Sequence, residues 1–470
     1  MKRIKLEITT LSPLAIAGKK PGSVSEAEDH IPGSVIRGAI ASQILQLSNQ
    51  QTPRIAEQNF TTGGGDFEAL FLGDEPAIFQ NAYPAVAKIA DESNSTKKKS
   101  DLISQVVTDE IMVLPATAVS SKTNPGFKPK GNGVFDTLID RFCADAYNFP
   151  YDPSDPKSLE DKTDARVEPY SGFYSKTDDS KIQYKYRSHS TSTRFLTRVG
   201  INRRRATSED DILYSIEVLN ESFVENPQAG FKNWHPVVYR SAILVNDTEL
   251  AQSLENFINQ NSGIQNSGIQ NSGIFRFGGA TSRGLGKVEI TATVETVSED
   301  ISERINEFNE KVKQRWGRYR EVFGEPQKNL LENRTYFTLD LQADAILAEN
   351  WRRTTVISPQ MLCQAVELDD EFSKFSKEEQ EDFLKLEVAY SSYNYRSGWN
   401  AAWGLMKDIE LVTNRGSVYL FSTKQQKLID KLKELELKGI GDRTCEGFGK
   451  VQICNPFHLV FRDELIEDTV

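Results

Sequence analysis

Two glycine-rich stretches decide the expected fold of this chain: FGGATSRGLGKVEI at residues 277–290 and GIGDRTCEGFGKVQI at residues 439–453. Each runs into G-K-V-x-I, an alternating pattern that predicts a strand directly after the loop. Glycines reach positive φ at low cost and expose backbone N–H groups, so both loops are suited to accept an anion. The alternative is a pair of hairpins that only turn corners. Because two loops share this ending, the alternative that they are coincidental turns is disfavoured.

The two loops supply a defined set of candidate contacts for an anion. Arg283 and Arg443 each add a positive charge. The first loop follows the basic residues 181–205 in the same half of the chain and is the better candidate for binding the anion, whereas the second loop could bind it or a neighbouring protein subunit. Phe448 can pack beneath the second loop or stack on a bound ring. The remaining candidates are small residues with accessible backbone amides, namely Gly278, Gly279, Ser282, Gly284, Gly286, Gly447 and Gly449.

The segments before each loop repeat one plan. Ile4, Leu6 and Ile8 alternate with polar residues, which predicts a first strand with one buried face. The segment HIPGSVIRGAIASQILQL at residues 30–47 breaks at its proline and glycine and then follows helical spacing. Further strand-like and helical segments lead into the first loop. We therefore predict an α+β domain over residues 1–297.

The plan then starts again. A charged helical segment predicts a connector over residues 298–333, and a new alternating strand opens a second domain over residues 334–470. Within the first domain, residues 53–190 are polar and lack a sustained period, so we predict a large irregular insertion there. The tandem repeat QNSGIQNSGIQNSGI at residues 260–274 predicts a surface loop.

Charge is distributed unevenly along the 470 residues. The net charge of −11 argues against a nucleic-acid partner. Residues 181–205, however, contain no acid and interleave aromatic with basic side chains, a mixture that suits RNA phosphates and bases. The alternative is a solvated basic loop that balances acidic neighbours. The basic residues of this segment are Lys181, Lys185, Arg187, Arg194, Arg198, Arg203, Arg204 and Arg205.

Other classes of protein are disfavoured. The N-terminal segment lacks the apolar run of a signal peptide, and no segment approaches a membrane span, so we expect a cytoplasmic protein without a membrane partner. Four widely spaced cysteines and four histidines predict neither a disulfide framework nor a metal site. Asp136 and Asp340 are expected to be a helix-start or strand-surface acid rather than a catalytic pair.

Several motifs resemble the RAMP superfamily of CRISPR effector proteins. IPGSVIRGAIA at residues 31–41 is similar to the family's IPGS-x-x-(R/K)-G segment, and both glycine loops resemble its terminal loop. The segments LPATAVSSK, GVFDTL, RVGINRRRATSEDDILYSIEVL, SGWNAAWGLMKD, GSVYLF and GDRTCEGFGKV follow the order of the Csx-ten group of type III-D systems. Ser120 and Ser121 stand where relatives often carry cysteine, so a zinc knuckle is not expected.

The resemblance implies two tandem RRM-like, ferredoxin-like domains that bind crRNA without a cofactor. The chain would be a structural subunit of a type III effector complex, similar to the Cas-five group that holds the crRNA 5′ handle. Its partners would be crRNA, target RNA and other effector subunits. Besides the loop residues, the implied RNA contacts are Gly33, Ser34, Arg37, Arg203, Arg204 and Arg205.

The resemblance also implies a catalytic alternative. Backbone subunits of the Cas-seven type cut target RNA with an aspartate before the IPGS segment, and Asp29 lies two residues before Ile31. A carboxylate there could bind Mg²⁺ or orient the attacking hydroxyl. His30 could act instead as a general base. The simpler alternative is that Asp29 is a solvated loop acid.

Overall fold

The computed structural model describes residues 1–18, 26–50, 66–90, 102–154, 166–178, 184–202, 205, 207–227, 229–262, 275–297, 300–326, 333–400 and 404–462. The QNSGI repeat lies mostly outside these residues. The architecture is mixed α/β and rests on antiparallel sheets.

The chain opens with the predicted strand and helix. In β1 (Lys2–Thr10), Ile4, Leu6 and Ile8 are buried while the side chains between them are exposed, as the alternation indicates. Helix α1 (Gly33–Gln50) includes the glycine that was expected to break the chain before it, and it buries Ile36, Ile40 and Ile44 at helical spacing. The buried faces of both elements belong to one hydrophobic core.

The segment predicted as an irregular insertion contains short regular elements. Its strands are only two to five residues long, too short to show a period in the sequence, which is why the prediction of irregularity was wrong. The elements are α2 (Asp66–Phe71), β2 (Ile78–Phe79), β3 (Tyr83–Pro84), β4 (Val86–Ala90), β5 (Leu102–Val106), β6 (Met112–Val113), β7 (Ala118–Ser121), β8 (Val134–Asp136), α3 (Leu138–Asp145), β9 (Val167–Pro169), β10 (Phe173–Lys176) and β11 (Tyr186–His189).

The rest of the first region completes the first sheet. Its elements are β12 (Thr193–Asn202), β13 (Thr207–Leu219), β14 (Ser222–Val224), β15 (Trp234–Pro236), β16 (Val238–Val245), α4 (Thr248–Asn261), β17 (Phe275–Arg276) and β18 (Lys287–Thr296). The sheet has the order β17-β18-β1-β16-β2, and β3 also pairs with β16. Helices α1 and α4 contribute to the core on this sheet, and β12 and β13 form a separate hairpin.

A second sheet lies in the C-terminal region. Its elements are α5 (Ile301–Phe323), β19 (Thr335–Leu341), β20 (Leu347–Glu349), β21 (Arg352–Thr354), α6 (Pro359–Ala365), α7 (Asp369–Phe372), α8 (Lys377–Phe383), β22 (Leu384–Tyr390), β23 (Tyr393–Arg396), β24 (Trp399–Asn400), β25 (Leu405–Met406), β26 (Glu410–Thr413), β27 (Val418–Thr423), α9 (Gln426–Lys438) and β28 (Val451–Ile453). The sheet order is β22-β27-β19-β28.

Helix α5 is part of the second core rather than a free spacer. Phe308, Val312 and Trp316 are buried in the same cluster as the apolar side chains of β19 and β27. Asn309 Nδ2 also donates a hydrogen bond of 2.7 Å to the carbonyl of Tyr336. These contacts fix the helix against the second sheet.

Within the described residues, none of the helices combines the length and apolar character that crossing a membrane would require.

Candidate nucleic-acid interface

The two glycine loops have the same hydrogen-bond pattern. In the first loop, Phe277 N donates to Gly286 O at 2.8 Å, and in the second Ile440 N donates to Gly449 O at 2.9 Å. Between these bonds each loop forms one 3-10 turn, Thr281–Arg283 or Thr444–Glu446. The loops therefore correspond position by position from Phe277 and Ile440 onward.

Each loop is also hydrogen-bonded to the segment that follows the first strand of its sheet. Gly279 N donates to Ala15 O at 2.8 Å, and Asp442 N donates to Ile346 O at 2.9 Å. Gly278 has a φ of +79°, and a Cβ at that position would lie 2.4 Å from Ala15 O. Gly278 thus permits the close approach of two backbones, and its predicted role as an anion contact is secondary to this one.

The first loop carries a group of arginines on its exposed surface. Arg283 is exposed, donates to the hydroxyl of Tyr214, and has its guanidinium 5.5 Å from the centre of the Tyr214 ring. Arg198 of β12 lies opposite Tyr214 in the hairpin register, and its terminal nitrogens are 3.4 Å from Arg283 O. Arg276 of β17 reaches to 3.5 Å from Thr281 O. Among the side chains that the structure describes, which do not include those of residues 206–212, no carboxylate pairs with Arg198, Arg276 or Arg283.

Small exposed residues complete this cationic surface, but the amides of Gly279 and Gly284 already donate to Ala15 O and Thr281 O. Gly279, Ser282 and Gly284 are exposed beside Arg283, and a side chain at Gly284 would meet open space. Three guanidinium groups around small exposed residues provide charge and directed donors for a phosphate. We call Arg198, Arg276, Arg283 and the exposed loop residues 279–284 the arginine cluster.

The second loop has a different charge arrangement. The matching hydrogen bonds place Glu446 where the first loop has Arg283, and Arg443 where it has Ala280. Arg283 and Arg443 therefore occupy different positions of the two loops. Arg443 pairs with Glu446 at 2.5 Å, and its guanidinium lies 5.1 Å from the centre of the Phe448 ring.

The Arg443–Glu446 pair neutralises the second loop internally. Burial alone would raise the pKa of Glu446, but the hydrogen bond and charge of Arg443 outweigh burial and lower the pKa. Lys407 adds a weaker attraction at 3.9 Å. Phe448 is partly buried under Arg443. The second loop is thus less suited than the first to attract phosphate.

The second loop lies on the start of α1. A Cβ at Gly447 would be 2.5 Å from Asn81 Oδ1 and 3.1 Å from the Cα of Gly33. Gly33 N donates to the same Asn81 oxygen at 2.8 Å. Gly33 is buried and Ser34 partly buried at this contact. The predicted RNA contacts Gly33 and Gly447 therefore meet each other inside the chain.

Of the remaining predicted cations, one supports the fold, one is exposed and two lie outside the described residues. Arg37 donates to Phe71 O at 2.7 Å and lies over the Phe71 ring, so it supports α2. Arg205 is exposed at the turn between β12 and β13. Arg203 and Arg204 lie outside the described residues.

The basic segment over residues 181–205 is also partly used by the fold. Arg187 pairs with Asp109, and Arg194 pairs with Glu221, each at 2.9 Å. Arg198 alone among the described cations of this segment joins the arginine cluster. Sequence reasoning missed Tyr214 and Arg276. Tyr214 gives no sequence signal, because its role depends on the strand register that sets it opposite Arg198.

Asp29 forms an ionic contact with Arg415 that joins the region of the first sheet to that of the second. His30 is buried, and its Nδ1 lies 2.9 Å from Asp29 Oδ1. Arg415, which precedes β27, reaches Asp29 Oδ2 at 2.5 Å. Burial would raise the pKa of Asp29, but the hydrogen bond from His30 and the charge of Arg415 hold it well below its usual range.

Glu28, Asp29 and His30 also satisfy a simple distance test for metal ligands. One ligand atom of each lies within 4.8 Å of the others. Glu28 is already paired with Arg396 at 3.0 Å, and Asp29 with Arg415. Two guanidinium groups neutralise both carboxylates and would repel a divalent cation. The group is therefore better suited to joining β1's region to the second sheet than to holding Mg²⁺.

Comparison with known proteins assigns the family. A sequence model of the RAMP superfamily matches residues 7–289, more than half of the chain. Structure comparison finds similarity to a chain of the type III-B Cmr-beta complex bound to cognate target RNA and AMPPnP, with 12% identity, a TM-score of 0.32 and coverage of 92% of this chain and 88% of that one. No curated relative matches.

Two smaller proteins show partial similarity. Oligomeric Cmr4 from Pyrococcus furiosus is 12% identical over 63% of this chain and 100% of its own, with a TM-score of 0.24. A Cas6 product complex is 13% identical over 48% of this chain and 81% of its own, with a TM-score of 0.22. The match over residues 7–289 covers the first glycine loop, α1 and most of the first sheet. On that match, the chain belongs to the RAMP superfamily.

Proposed function

We propose that this protein is a crRNA-binding structural subunit of a type III CRISPR effector complex, and that its arginine cluster contacts the RNA backbone. The proposal rests on the grouping of Arg198, Arg276 and Arg283 and on the charges that surround them. Three guanidinium groups surround exposed loop residues, and none pairs with a carboxylate among the side chains that the structure describes. Grouping like charges at the surface is unfavourable unless an anion compensates.

The proposed architecture is two tandem RRM-like, ferredoxin-like domains over residues 1–297 and 334–470. The strand orders support it. The first sheet runs β18-β1-β16-β2 and the second β28-β19-β27-β22, which in both cases is fourth, first, third and second strand of a β-α-β-β-α-β unit. In each sheet a helix precedes the last strand, and the glycine loop lies between that helix and that strand.

We further propose that the protein belongs to the Csx-ten, Cas-five-like group and holds the crRNA 5′ handle alongside other effector subunits and target RNA. The different loops support a terminal rather than a repeating subunit. The first loop offers charge to a ligand, whereas the second is engaged with α1 of the same chain. One chain therefore presents one strongly cationic glycine loop.

The test measures the RNA affinity of the full chain at several salt concentrations. The variant Arg198→Gln/Arg276→Gln/Arg283→Gln removes the arginine cluster while keeping side chains of similar length. If the three groups contact phosphates, the slope of log affinity against log salt falls by about 2, since each contact to single-stranded RNA contributes about 0.7. The matched control Arg443→Gln keeps the wild-type slope because Arg443 pairs with Glu446. An unchanged slope in the triple variant would refute the RNA contact.

A further inference from the structure

The tip of the β20–β21 hairpin holds a tryptophan in an unusual conformation. Asn350 and Trp351 are the two turn residues, with φ values of +49° and +64°. Two left-handed residues define the turn that hairpins prefer, and glycine usually occupies the second position. Trp351 is instead fully exposed, at 104% of its reference area. The chain thus accepts backbone strain to present an indole ring to solvent.

The hairpin that carries this ring is firmly held at its base. Leu347 pairs with Thr354 and is buried in the second core. Glu349 accepts a hydrogen bond from the Ser358 hydroxyl. Arg353 pairs with Glu410 of β26 at 2.8 Å and with Asp442 of the second glycine loop at 2.5 Å. Trp351 therefore projects from a rigid support beside the second loop.

A positive charge lies next to the indole. Arg352 is exposed, and it makes no ion pair with any acid that the structure describes. An aromatic face stacks on an unpaired base whatever its sequence, and an adjacent guanidinium can contact the phosphate of the same strand. The free charge of Arg352 favours a polyanion over an apolar protein surface as the ligand.

We infer that Trp351 stacks on an unpaired base of the bound RNA and that Arg352 contacts a neighbouring phosphate. This inference rests on the proposed function and assigns the C-terminal region its own RNA contact, on the separate hairpin β20–β21. The contact lies beside the second glycine loop, whose own arginine is neutralised by Glu446. The two regions would then contact RNA in different ways, the first through charge and the second through stacking.

The experiment compares Trp351→Gly, Trp351→Phe and wild type in binding a fluorescein-labelled single-stranded oligoribonucleotide. Glycine suits the left-handed position, so Trp351→Gly is expected to match or exceed the thermal stability of wild type. Its RNA affinity should fall roughly 5- to 150-fold, the range for one stacked base. Trp351→Phe keeps a ring and should retain most of the affinity. Phe231→Ala, which removes another exposed ring in the first region, is the matched control and should bind as wild type does.

A second ligand separates stacking from charge. On an oligomer of the same length that lacks bases, Trp351→Gly and wild type should bind equally, whereas Arg352→Gln should bind less tightly and lower the salt slope by about 0.7. If wild type binds RNA and Trp351→Gly binds equally well, the inference is wrong while the proposed function stands. The inference is also wrong if Trp351→Gly loses only a protein subunit of the complex. If wild type binds no RNA, the proposed function itself fails.

Discussion

Arg283 and Glu446 occupy the same position of the two glycine loops and carry opposite charges. Arg283 N donates to Ala280 O and Glu446 N donates to Arg443 O, both at 2.9 Å. In the exposed loop, Arg283 pairs with no carboxylate whose side chain the structure describes, whereas the loop that lies on α1 pairs its acid with Arg443. The same backbone geometry thus presents an arginine in the first loop and an ion pair in the second.

Reversing one charge in each loop should have unequal effects on RNA binding. Arg283→Glu places an acid inside the arginine cluster and should weaken RNA binding by about 1–3 kcal/mol, the scale of hydrogen bonds to charged groups. Arg443→Glu sets two acids side by side on the second loop and should lower stability while the folded protein keeps its RNA affinity. Fluorescence anisotropy at constant salt measures the first effect, and urea unfolding measures the second. Equal losses of RNA affinity would contradict the assignment.

Alanine substitution at the two equivalent glycines tests the contact between the second loop and α1. Gly284 and Gly447 have similar φ values, +87° and +94°, so alanine costs about 1 kcal/mol of backbone strain at either site. A Cβ at Gly284 meets nothing, whereas at Gly447 it meets Asn81 and Phe79. Gly447→Ala should therefore destabilise the protein by about 1–3 kcal/mol more. Matching urea midpoints for the two variants would show that the second loop is not tightly packed on α1.

Local patterns predicted the parts of the fold that depend on local physics. The alternation of Ile4, Leu6 and Ile8 gave β1, and the helical spacing after Gly33 gave α1. Both glycine loops end in the predicted strands, β18 and β28. These features follow from side-chain periodicity and glycine conformation, which are properties of adjacent residues.

Features that depend on contacts between distant residues were missed. The sequence alone did not show that Glu446, rather than Arg443, occupies the position of Arg283, because that correspondence depends on which amide bonds to which carbonyl. Asp136 and Asp340 were expected to be a helix-start or strand-surface acid. Asp136 does accept from Leu138 N at the start of α3, but both acids are buried, on either side of His458. No local sequence pattern indicates that three residues so far apart in the chain are in contact. The short strands of the predicted insertion were missed for the same reason, since pairing rather than periodicity defines them.

His458 makes a buried ionic contact whose removal should be costly. Its Nε2 lies 2.7 Å from Asp340 Oδ1 and its Nδ1 lies 3.2 Å from Asp136 Oδ1, with all three side chains buried. His458→Gln would leave two buried carboxylates without a cation and should destabilise the protein by about 3–5 kcal/mol. Chemical unfolding measures this loss. The exposed His235 is the control, and His235→Gln should change stability by less than about 0.5 kcal/mol.

The same contact predicts a dependence on alkaline pH. Burial would lower the pKa of His458, but the charges of Asp340 and Asp136 outweigh it and raise the pKa to about 10. A raised pKa stabilises the fold fully below the unfolded value of about 6.5, and that stability is lost as the pH rises to about 10. The stability gap between wild type and His458→Gln should therefore narrow over this range. A gap that stays constant would mean that His458 is neutral in the folded protein.

Substituting Asp29 separates an ionic contact from catalysis. Asp29→Asn keeps the shape and removes the charge that pairs with Arg415, and because the side chain is 55% exposed the loss of stability should be at most about 1 kcal/mol. The pKa of Asp29 is lowered in the folded protein, so its contribution is present above about pH 4 and is lost as the pH falls through the lower folded value. Urea unfolding at neutral pH and near pH 3 measures both effects.

Arg415→Gln is the matched control, because Arg415 is the cation of the same pair. Stability losses from Asp29→Asn and Arg415→Gln should be less than additive in the double variant, as expected for two groups that interact directly. Cleavage of target RNA by the assembled effector complex should be unchanged by Asp29→Asn. Loss of cleavage with unchanged stability and an additive double variant would instead identify Asp29 as a catalytic residue, since only a group acting on the substrate would affect the reaction without affecting the fold.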